Sequence, residues 1–121
     1  MSGTYSDLEV WQASMELEMN VYAVTRAFPK EEIYGLTSQL RRAAVSVPSN
    51  IAEGKGRSSD KELLQFLNHS RGSLFEIETQ VTISQRLGYI EAEACKGILR
   101  QTSRVGKMLN GLIRAFRPPI G

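Results

Sequence analysis

The stretch from Leu36 to Arg57, LTSQLRRAAVSVPSNIAEGKGR, decides the fold of this chain because it predicts one helix that carries two adjacent stripes. At about 100° per residue, one face collects the apolar side chains: Leu36, Leu40, Ala43, Ala44, Val47 and Ile51. Directly beside that face lies a polar row at spacings of three and four residues: Gln39, Arg42, Ser46, Asn50 and Glu53. Polar side chains at the edge of a core indicate a partner helix that meets them, whereas the simpler alternative is a solvated polar flank.

A matching polar row lies in the next helix and favours the first alternative. A capping box of Ser59 and Glu62 begins that helix. Its core stripe alternates by four and three residues: Leu63, Leu67, Ser70, Leu74, Ile77, Val81 and Ser84. The row beside that stripe consists of His69, Ser73, Glu76 and Gln80. We therefore predict that the two rows meet in an antiparallel helix pair.

The meeting of these rows predicts a structural polar seam at the edge of the core. When the two helices fold back on each other, Arg42 comes within a turn of Glu76, and half-buried charges persist only when they are paired. We expect an Arg42–Glu76 ion pair whose remaining hydrogen bonds come from the neighbouring hydroxyl and amide groups. The seam is assigned to Arg41, Arg42, Ser46, Asn50, Glu53, Ser73 and Glu76.

Caps and turns divide the chain into four helices, at about 6–28, 36–54, 59–87 and 91–117. A capping box of Ser6 and Glu9 opens the first helix and Pro29 closes it. Pro48 predicts a kink inside the second helix, and Gly88 is suited to the position after the end of the third. Because every connection is short, neighbouring helices should be antiparallel. The sequence predicts an all-α, up-down-up-down four-helix bundle that forms a single domain over residues 1–121.

The first helix is apolar on two sides. One stripe consists of Leu8, Trp11, Met15, Met19 and Tyr22, and the nearly opposite stripe of Val10, Leu17, Val21, Val24 and Phe28. A four-helix core buries one stripe per helix, so the other needs a second partner. We assign the second stripe to an oligomer interface. Two alternatives stay open: the first stripe faces outward instead, or the core stripe is simply wide.

Charge is unevenly distributed along the chain. Residues 1–93 carry nine basic and thirteen acidic side chains, a net of −4, and residues 94–121 carry six basic side chains and no acid, which gives the overall +2. Such asymmetry favours a polyanionic partner. The expected nucleic-acid contacts are Arg100, Arg104, Lys107, Arg114 and Arg117 at helical spacing, together with Lys55 and Arg57 near the start of the third helix.

Signs of catalysis, cofactors or membrane insertion are weak. His69 lacks the preceding glutamate of the Glu-x-x-His di-iron signature, and Cys95 is the single cysteine, so we expect no metal site. GKGRSS at 54–59 resembles a phosphate loop in composition only, because the residue order is wrong and no strand precedes it. Neither a signal peptide nor a membrane span is evident, which indicates a cytoplasmic protein. We expect no enzymatic activity and no cofactor.

Three segments carry a resemblance to a known family: DLEVWQ, FPKEEIYGLTSQLRRAAVSVPSNIAEGKGR and GSLFEIETQ. The second segment contains the motif RRAxxSxxxNIAEG at Arg41–Gly54. On these segments the chain resembles the bacterial four-helix-bundle family first met as open reading frames in intervening sequences of large-subunit ribosomal RNA genes. The resemblance extends over about Tyr5 to Leu112. The resemblance implies a ring-like homopentamer. The chain is also similar to the accessory variability protein of diversity-generating retroelements, a pentameric bundle that binds nucleic acid and a reverse transcriptase. No biochemical activity is established for the family as a whole.

Two functions of different classes follow from these observations. The first is a non-enzymatic oligomer that binds RNA or DNA through the basic face of the fourth helix. The second is a protein-interaction or assembly scaffold that binds no nucleic acid and whose basic face is merely solvated.

Overall fold

Four α-helices make up almost all of the computed structural model, which describes residues 4–5 and 8–118. They are α1 (Glu9–Thr25), α2 (Leu36–Lys55), α3 (Asp60–Arg86) and α4 (Ala92–Phe116), and a 3₁₀ turn (Lys30–Glu32) lies between α1 and α2. No strand occurs in the described ranges, so the all-α class is confirmed. The predicted cap at Ser6 lies outside the described residues. None of the four helices is both long and apolar enough to cross a membrane.

The helices pack as a ring of four neighbours: α1 on α2, α2 on α3, α3 on α4, and α4 back on α1. Cross-helix hydrogen bonds show that neighbours run in opposite directions. Between α2 and α3, Ser46 meets Ser73 while Gln39, further back on α2, meets Gln80, further along α3. This is the predicted up-down-up-down four-helix bundle.

The core is one continuous cluster of apolar side chains from all four helices. Its centre is fully buried, with Leu17, Leu40, Ile77 and Leu109 each at most 1% exposed. The apolar stripes predicted for α2 and α3 supply much of it, because their four-and-three spacing keeps one face of each helix turned inward.

Small residues let α2 and α3 approach closely, and Gly54 shows this most clearly. A β-carbon at this position would lie 2.9 Å from the Phe66 Cβ and 3.3 Å from the Leu63 carbonyl oxygen. Carbon atoms in contact are normally about 3.5–4.0 Å apart. Glycine at the end of the RRAxxSxxxNIAEG motif is therefore a packing requirement.

The helix ends follow the local signals in most places. The Ser59 Oγ accepts a hydrogen bond from the Glu62 N–H at 3.2 Å, which confirms the predicted cap of α3. Gly88 has a φ of 82°, and the Tyr89 N–H donates to the Ser84 carbonyl at 2.9 Å, which closes α3 in a Schellman-type turn. Pro48 is buried within α2, and the helix continues through it to Lys55.

The first helix ends at Thr25, three residues earlier than predicted. The Thr25 hydroxyl donates to the Val21 carbonyl at 2.7 Å, and the chain then turns so that Phe28 enters the core. The residue before a proline is disfavoured in helical conformation, so Pro29 ends the helix before Phe28 can join it.

A carboxylate joins the α1–α2 connector to the α3–α4 turn. One oxygen of Glu32 accepts the Leu36 backbone N–H at 3.1 Å at the start of α2, and the other accepts the Tyr89 hydroxyl at 3.0 Å. The hydrogen bond to this carboxylate, with burial, raises the pKa of Tyr89 above its usual value. The Tyr89 ring also packs 5.6 Å from that of Phe28.

The assignment of the second α1 stripe to an oligomer interface is wrong. Val10, Leu17, Val21 and Phe28 are buried in the core, and Val24 packs against it partly buried. The opposite stripe is the outer one: Trp11, Met15 and Tyr22 are half-buried, and Met19 is 63% exposed. Periodicity showed two stripes but carried no information on which would face α2 and α4.

Candidate functional site

The outer face of α4 carries a continuous basic stripe. Lys96, Arg100, Arg104, Lys107 and Arg114 are all exposed. At about 100° per residue they fall within an arc of roughly 80°. At about 1.5 Å per residue they extend over roughly 27 Å. Arg117, also exposed, follows the last helical residue in extended conformation.

Acidic neighbours neutralise little of this stripe. Glu16 of α1 lies 3.9 Å from Arg104, and Glu93 lies 3.6 Å from Lys96, with all four side chains well exposed. Ion pairs exposed to this extent contribute at most about 1 kcal/mol and exchange readily with solvent. Within the described residues, Arg100, Lys107 and Arg114 have no ion-pair partner, so most of the positive charge is available to a ligand.

The two cations predicted near the start of α3 differ from each other. Arg57 forms an ion pair with Glu53 at 2.8 Å, and its guanidinium stacks 4.7 Å from the centre of the Phe66 ring. Lys55 is exposed and borders the same apolar cleft as Leu112 and Phe116 at the end of α4. The structure thus brings Lys55 to the end of the bundle where α4 finishes, and holds Arg57 on the α2–α3 turn.

The α2–α3 polar seam forms through its short side chains. The hydroxyls of Ser46 and Ser73 are 2.8 Å apart. The Asn50 amide donates to the Ser46 Oγ at 2.9 Å and to the Ser46 carbonyl at 2.8 Å. Further along, the Gln80 amide donates to Gln39 at 3.4 Å. These contacts confirm that the two polar rows meet.

The predicted ion pair of Arg42 and Glu76 is wrong. Both side chains are exposed, and no ion pair joins them in the part of the chain that the structure describes. They border the same groove, but the helices are already joined by the short Ser46 and Ser73 hydroxyls. Longer side chains therefore extend past the contact into solvent, where a charge needs no partner.

Arg41 belongs to a different contact from the one assigned to it. Its Nε donates to the Thr25 Oγ1 at 2.9 Å, its Nη2 reaches the Tyr22 carbonyl at 3.5 Å, and its guanidinium lies 4.7 Å from the centre of the Tyr22 ring. It thus binds the last turn of α1, where a cation is favoured by the helix dipole. Thr25 and Tyr22 are partners that sequence reasoning missed, because nothing local links them to Arg41.

Taken residue by residue, the RRAxxSxxxNIAEG motif holds helices together. Arg41 attaches α2 to α1, Ser46 and Asn50 attach it to α3, and Gly54 permits the close approach of Phe66. None of these four contacts requires a ligand.

Catalytic groups do not converge in the described residues. No cluster of three or more histidine, cysteine, aspartate or glutamate side chains that would suit a metal occurs there. His69 is exposed in a polar groove of about 700 Å³ between α2 and α3, beside Asn50, Gly72 and Glu76. Cys95 is buried as predicted, and burial raises the pKa of its thiol, which disfavours the reactive thiolate.

Comparison with known proteins agrees with this fold. A solved structure, a protein of unknown function from the S23 ribosomal protein family of Bacteroides thetaiotaomicron, superposes with a TM-score of 0.78 at 21% identity, covering 87% of this chain and 98% of that one. At this identity the match supports the fold alone. No curated protein sequence matches significantly. Residues 6–111 match the family described as 23S rRNA-intervening sequence protein, and the chain therefore belongs to the 23S rRNA-intervening sequence protein family.

Proposed function

We propose that this chain is a non-enzymatic, oligomeric helical-bundle protein that binds RNA or DNA through the outer face of α4. The observation that carries the proposal is the basic stripe of Lys96, Arg100, Arg104, Lys107 and Arg114, exposed along one side of one helix. Residues 1–93 are net acidic, so polyanions are drawn to this face in preference to the rest of the surface.

The composition of the stripe points to contacts with the phosphate backbone. Arginine and lysine neutralise phosphates whatever the base sequence, and the release of condensed counterions drives the binding. Successive cations of the stripe are three or four residues apart over much of its length, which is about 4.5–6 Å along the helix. The stripe contains no aromatic side chain on which a base would stack, so we expect little sequence preference.

Salt dependence of binding is the direct test. For single-stranded RNA the slope of log K against log salt is about −0.7 per phosphate contact, so four or five contacts predict a slope near −3. Charge reversal at Arg100, Arg104 and Lys107 should abolish binding or reduce the slope by about 2, with unchanged helical content by circular dichroism.

A matched control separates the effect of the α4 stripe on binding from the effect of the overall net charge. Reversal of Arg26, Lys61 and Arg86, three exposed cations on other elements, changes the net charge by the same amount. This control should retain most of the binding. Equal losses in the two triple variants, or a salt-independent affinity for RNA, would reject the proposal.

A protein-interaction or assembly scaffold is the second candidate, and exposed apolar side chains favour it. Tyr34 is 93% exposed and Phe75 is 59% exposed, and both lie outside α4. Absence of RNA binding in an otherwise assembled protein would support this second function. A ring of five subunits, and a kinship with the accessory variability protein of retroelements, rest on the resemblance alone and stay predictions.

A further inference from the structure

A groove between α1 and the first turns of α2 is lined mainly by polar side chains. Its volume is about 430 Å³, within the range of about 300–1,000 Å³ that is typical of small-molecule sites. The start of α2 supplies the polar part of the lining: Thr37, Ser38, Arg41 and Arg42. Among the described residues no aspartate or glutamate lines the groove, so the lining carries two positive charges and no negative one.

Thr37 distinguishes this groove from an ordinary cationic surface. Its side chain is only 4% exposed, yet its hydroxyl has no hydrogen-bond partner in the part of the chain that the structure describes. The other buried hydroxyl side chains of that part each form a hydrogen bond: Ser14, Thr25, Ser70, Ser73, Ser84 and Thr102. Buried polar groups are nearly always satisfied. Because Thr37 lines the groove, a ligand there would supply the missing partner.

Arg41 is held in position at the same groove by contacts with α1. Its Nε donates to the Thr25 Oγ1 at 2.9 Å, and its Nη2 reaches the Tyr22 carbonyl at 3.5 Å. Its Nη1 has no partner among the described residues and stays available to an acceptor. A guanidinium fixed in this way loses little conformational entropy when an anion binds, which favours binding.

Arg42 and Ser38 add two further donors one helical turn apart. Neither has a hydrogen bond or an ion pair within the described residues. With Thr37 and Arg41 they offer two guanidinium groups and two hydroxyls to one ligand. A phosphate monoester carries about −1.5 to −2 charges at pH 7 and three strong acceptor oxygens. It matches this donor set better than a carboxylate, which has a single charge and two oxygens.

Apolar side chains complete the lining of the groove: Tyr22, Ile33 and Val45. Ile33 is 51% exposed and Val45 is 39% exposed, so apolar surface beside the donors is open to solvent. Small-molecule sites typically combine apolar walls with a few polar groups that fix the orientation of the ligand. A ligand that fills this groove therefore carries a planar or apolar body on its anionic group.

We propose that this groove binds a phosphate monoester with a planar ring, of the size of a mononucleotide. The phosphate accepts hydrogen bonds from Thr37, Arg41 and Arg42, and the ring lies against Ile33 and Val45. The site lies on α1 and α2, whereas the proposed nucleic-acid contacts lie on α4, so the two sites are independent.

Calorimetric titration of the full chain with three probes tests the ligand class. AMP has both the phosphate and the ring, adenosine lacks the phosphate, and inorganic phosphate lacks the ring. AMP should bind, and each of the other two should bind about tenfold more weakly or less. Adenosine or inorganic phosphate binding as tightly as AMP, or no binding of AMP at millimolar concentration, would overturn the proposal.

Two variants of the donor set test the site itself. Arg42→Ala removes an exposed cation, and Thr37→Val removes the hydroxyl while keeping the shape of the side chain. Each should weaken AMP binding about tenfold. The control Lys61→Ala removes one exposed charge at the start of α3, roughly 20 Å along the bundle from Arg42, where salt screens its effect. An unchanged affinity in both site variants, or an equal loss in the control, would overturn the site.

Stability separates binding by Thr37 from a structural role. Since its hydroxyl has no partner in the free chain, Thr37→Val should weaken AMP binding without lowering the urea midpoint. A fall in the midpoint that accompanies the loss of binding would show that the hydroxyl has a structural partner, and would overturn its role as a donor to the ligand.

The α4 variant keeps this site apart from the proposed nucleic-acid face. Charge reversal at Arg100, Arg104 and Lys107 should leave AMP affinity unchanged, and Thr37→Val should leave RNA binding unchanged. A loss of AMP affinity in the α4 variant as large as its loss of RNA binding would place AMP on α4 and overturn the groove site. In the same α4 variant, competition by a 5′-phosphorylated oligonucleotide, but not by an unphosphorylated one, would identify a nucleic-acid end as a source of the phosphate monoester.

Discussion

Replacing Gly54 by alanine tests whether the helix-two motif is a packing element. The new methyl group would lie 2.9 Å from the Phe66 Cβ and 3.3 Å from the Leu63 carbonyl oxygen, both atoms held by the α3 backbone. To restore normal carbon–carbon contact, the helices must separate by about 0.6 Å or more. Overpacking of this kind costs about 1–3 kcal/mol.

The helix itself gains from the same substitution. Alanine in place of glycine stabilises a helix interior by about 0.8–1 kcal/mol and stabilises the last turn, where Gly54 lies, by less, so the net effect of Gly54→Ala should be a loss of about 1 kcal/mol. Gly97 provides the matched control, because a β-carbon there would meet no atom within 4 Å. Gly97, inside α4, should therefore give a stabilisation of about 0.8–1 kcal/mol when it is replaced by alanine.

Urea unfolding followed by circular dichroism, at one fixed protein concentration, measures both effects. With a slope of about 1–3 kcal/mol per molar urea, the midpoint should fall by roughly 0.5 M for Gly54→Ala and rise by a similar amount for Gly97→Ala. We therefore predict that the two substitutions change the urea midpoint in opposite directions. A Gly54→Ala variant as stable as Gly97→Ala would show that α3 yields freely, and the packing argument for the motif would be refuted.

Three further predictions follow from individual contacts. Arg41→Ala should lower the free energy of unfolding by about 1 kcal/mol, and Arg41→Lys should not restore it, because the guanidinium both donates hydrogen bonds and stacks on a ring. Arg42→Ala should change the free energy of unfolding by less than about 0.5 kcal/mol, because Arg42 is exposed and has no ion-pair partner among the described residues. Equal losses at the two positions would contradict this. The raised pKa of Tyr89 favours the neutral phenol in the folded state. The contribution of Tyr89 to the free energy of unfolding is therefore complete below about pH 10 and is lost as the pH rises through the folded-state pKa. In a series of urea midpoints measured against pH, Tyr89→Phe should reduce this alkaline loss of stability, and an unchanged profile would count against the contact with Glu32. Leu17→Glu should abolish the cooperative unfolding transition, because Leu17 is fully buried and the new charge would have no partner. A variant that stays folded and only loses its association with other subunits would show instead that the Leu17 stripe faces an oligomer interface.

The basic face of α4 was predictable from sequence, because it depends only on periodicity within one helix. Arg100, Arg104 and Lys107 recur at helical spacing and lie on the same exposed side in the structure. The ion pair of Arg57 with Glu53 is a local contact four residues apart, which spacing alone could have indicated. The stacking of Arg57 on Phe66 was not predictable, because it depends on how the α2–α3 turn closes. The exposure of a cation on a turn therefore depends on tertiary contacts, whereas that of a cation along a helix follows from its spacing.

Local chemistry by itself determined the number of helices, their antiparallel order and the apolar stripes of α2 and α3. Hydrophobic periodicity, the Ser59 cap and the Gly88 turn each involve residues within a few positions of one another, so the sequence contains the whole signal. The meeting of the Ser46 and Ser73 rows was also predictable, because a short turn fixes the register of the helix pair.

Only the tertiary structure decided the choices that depend on the distance between helices. Both stripes of α1 have helical periodicity, and the positions of α2 and α4 determined that Leu17 faces the core and Met19 faces solvent. Arg42 and Glu76 have the right spacing for an ion pair, but the contact of the short Ser46 and Ser73 hydroxyls leaves both charges outside it. Arg41 donates a hydrogen bond to Thr25, which lies sixteen residues earlier in the sequence, on the other side of the α1–α2 connector. Periodicity fixes the angle of a side chain about its helix axis, whereas the depth at which that side chain is buried is set by how closely the neighbouring helices approach.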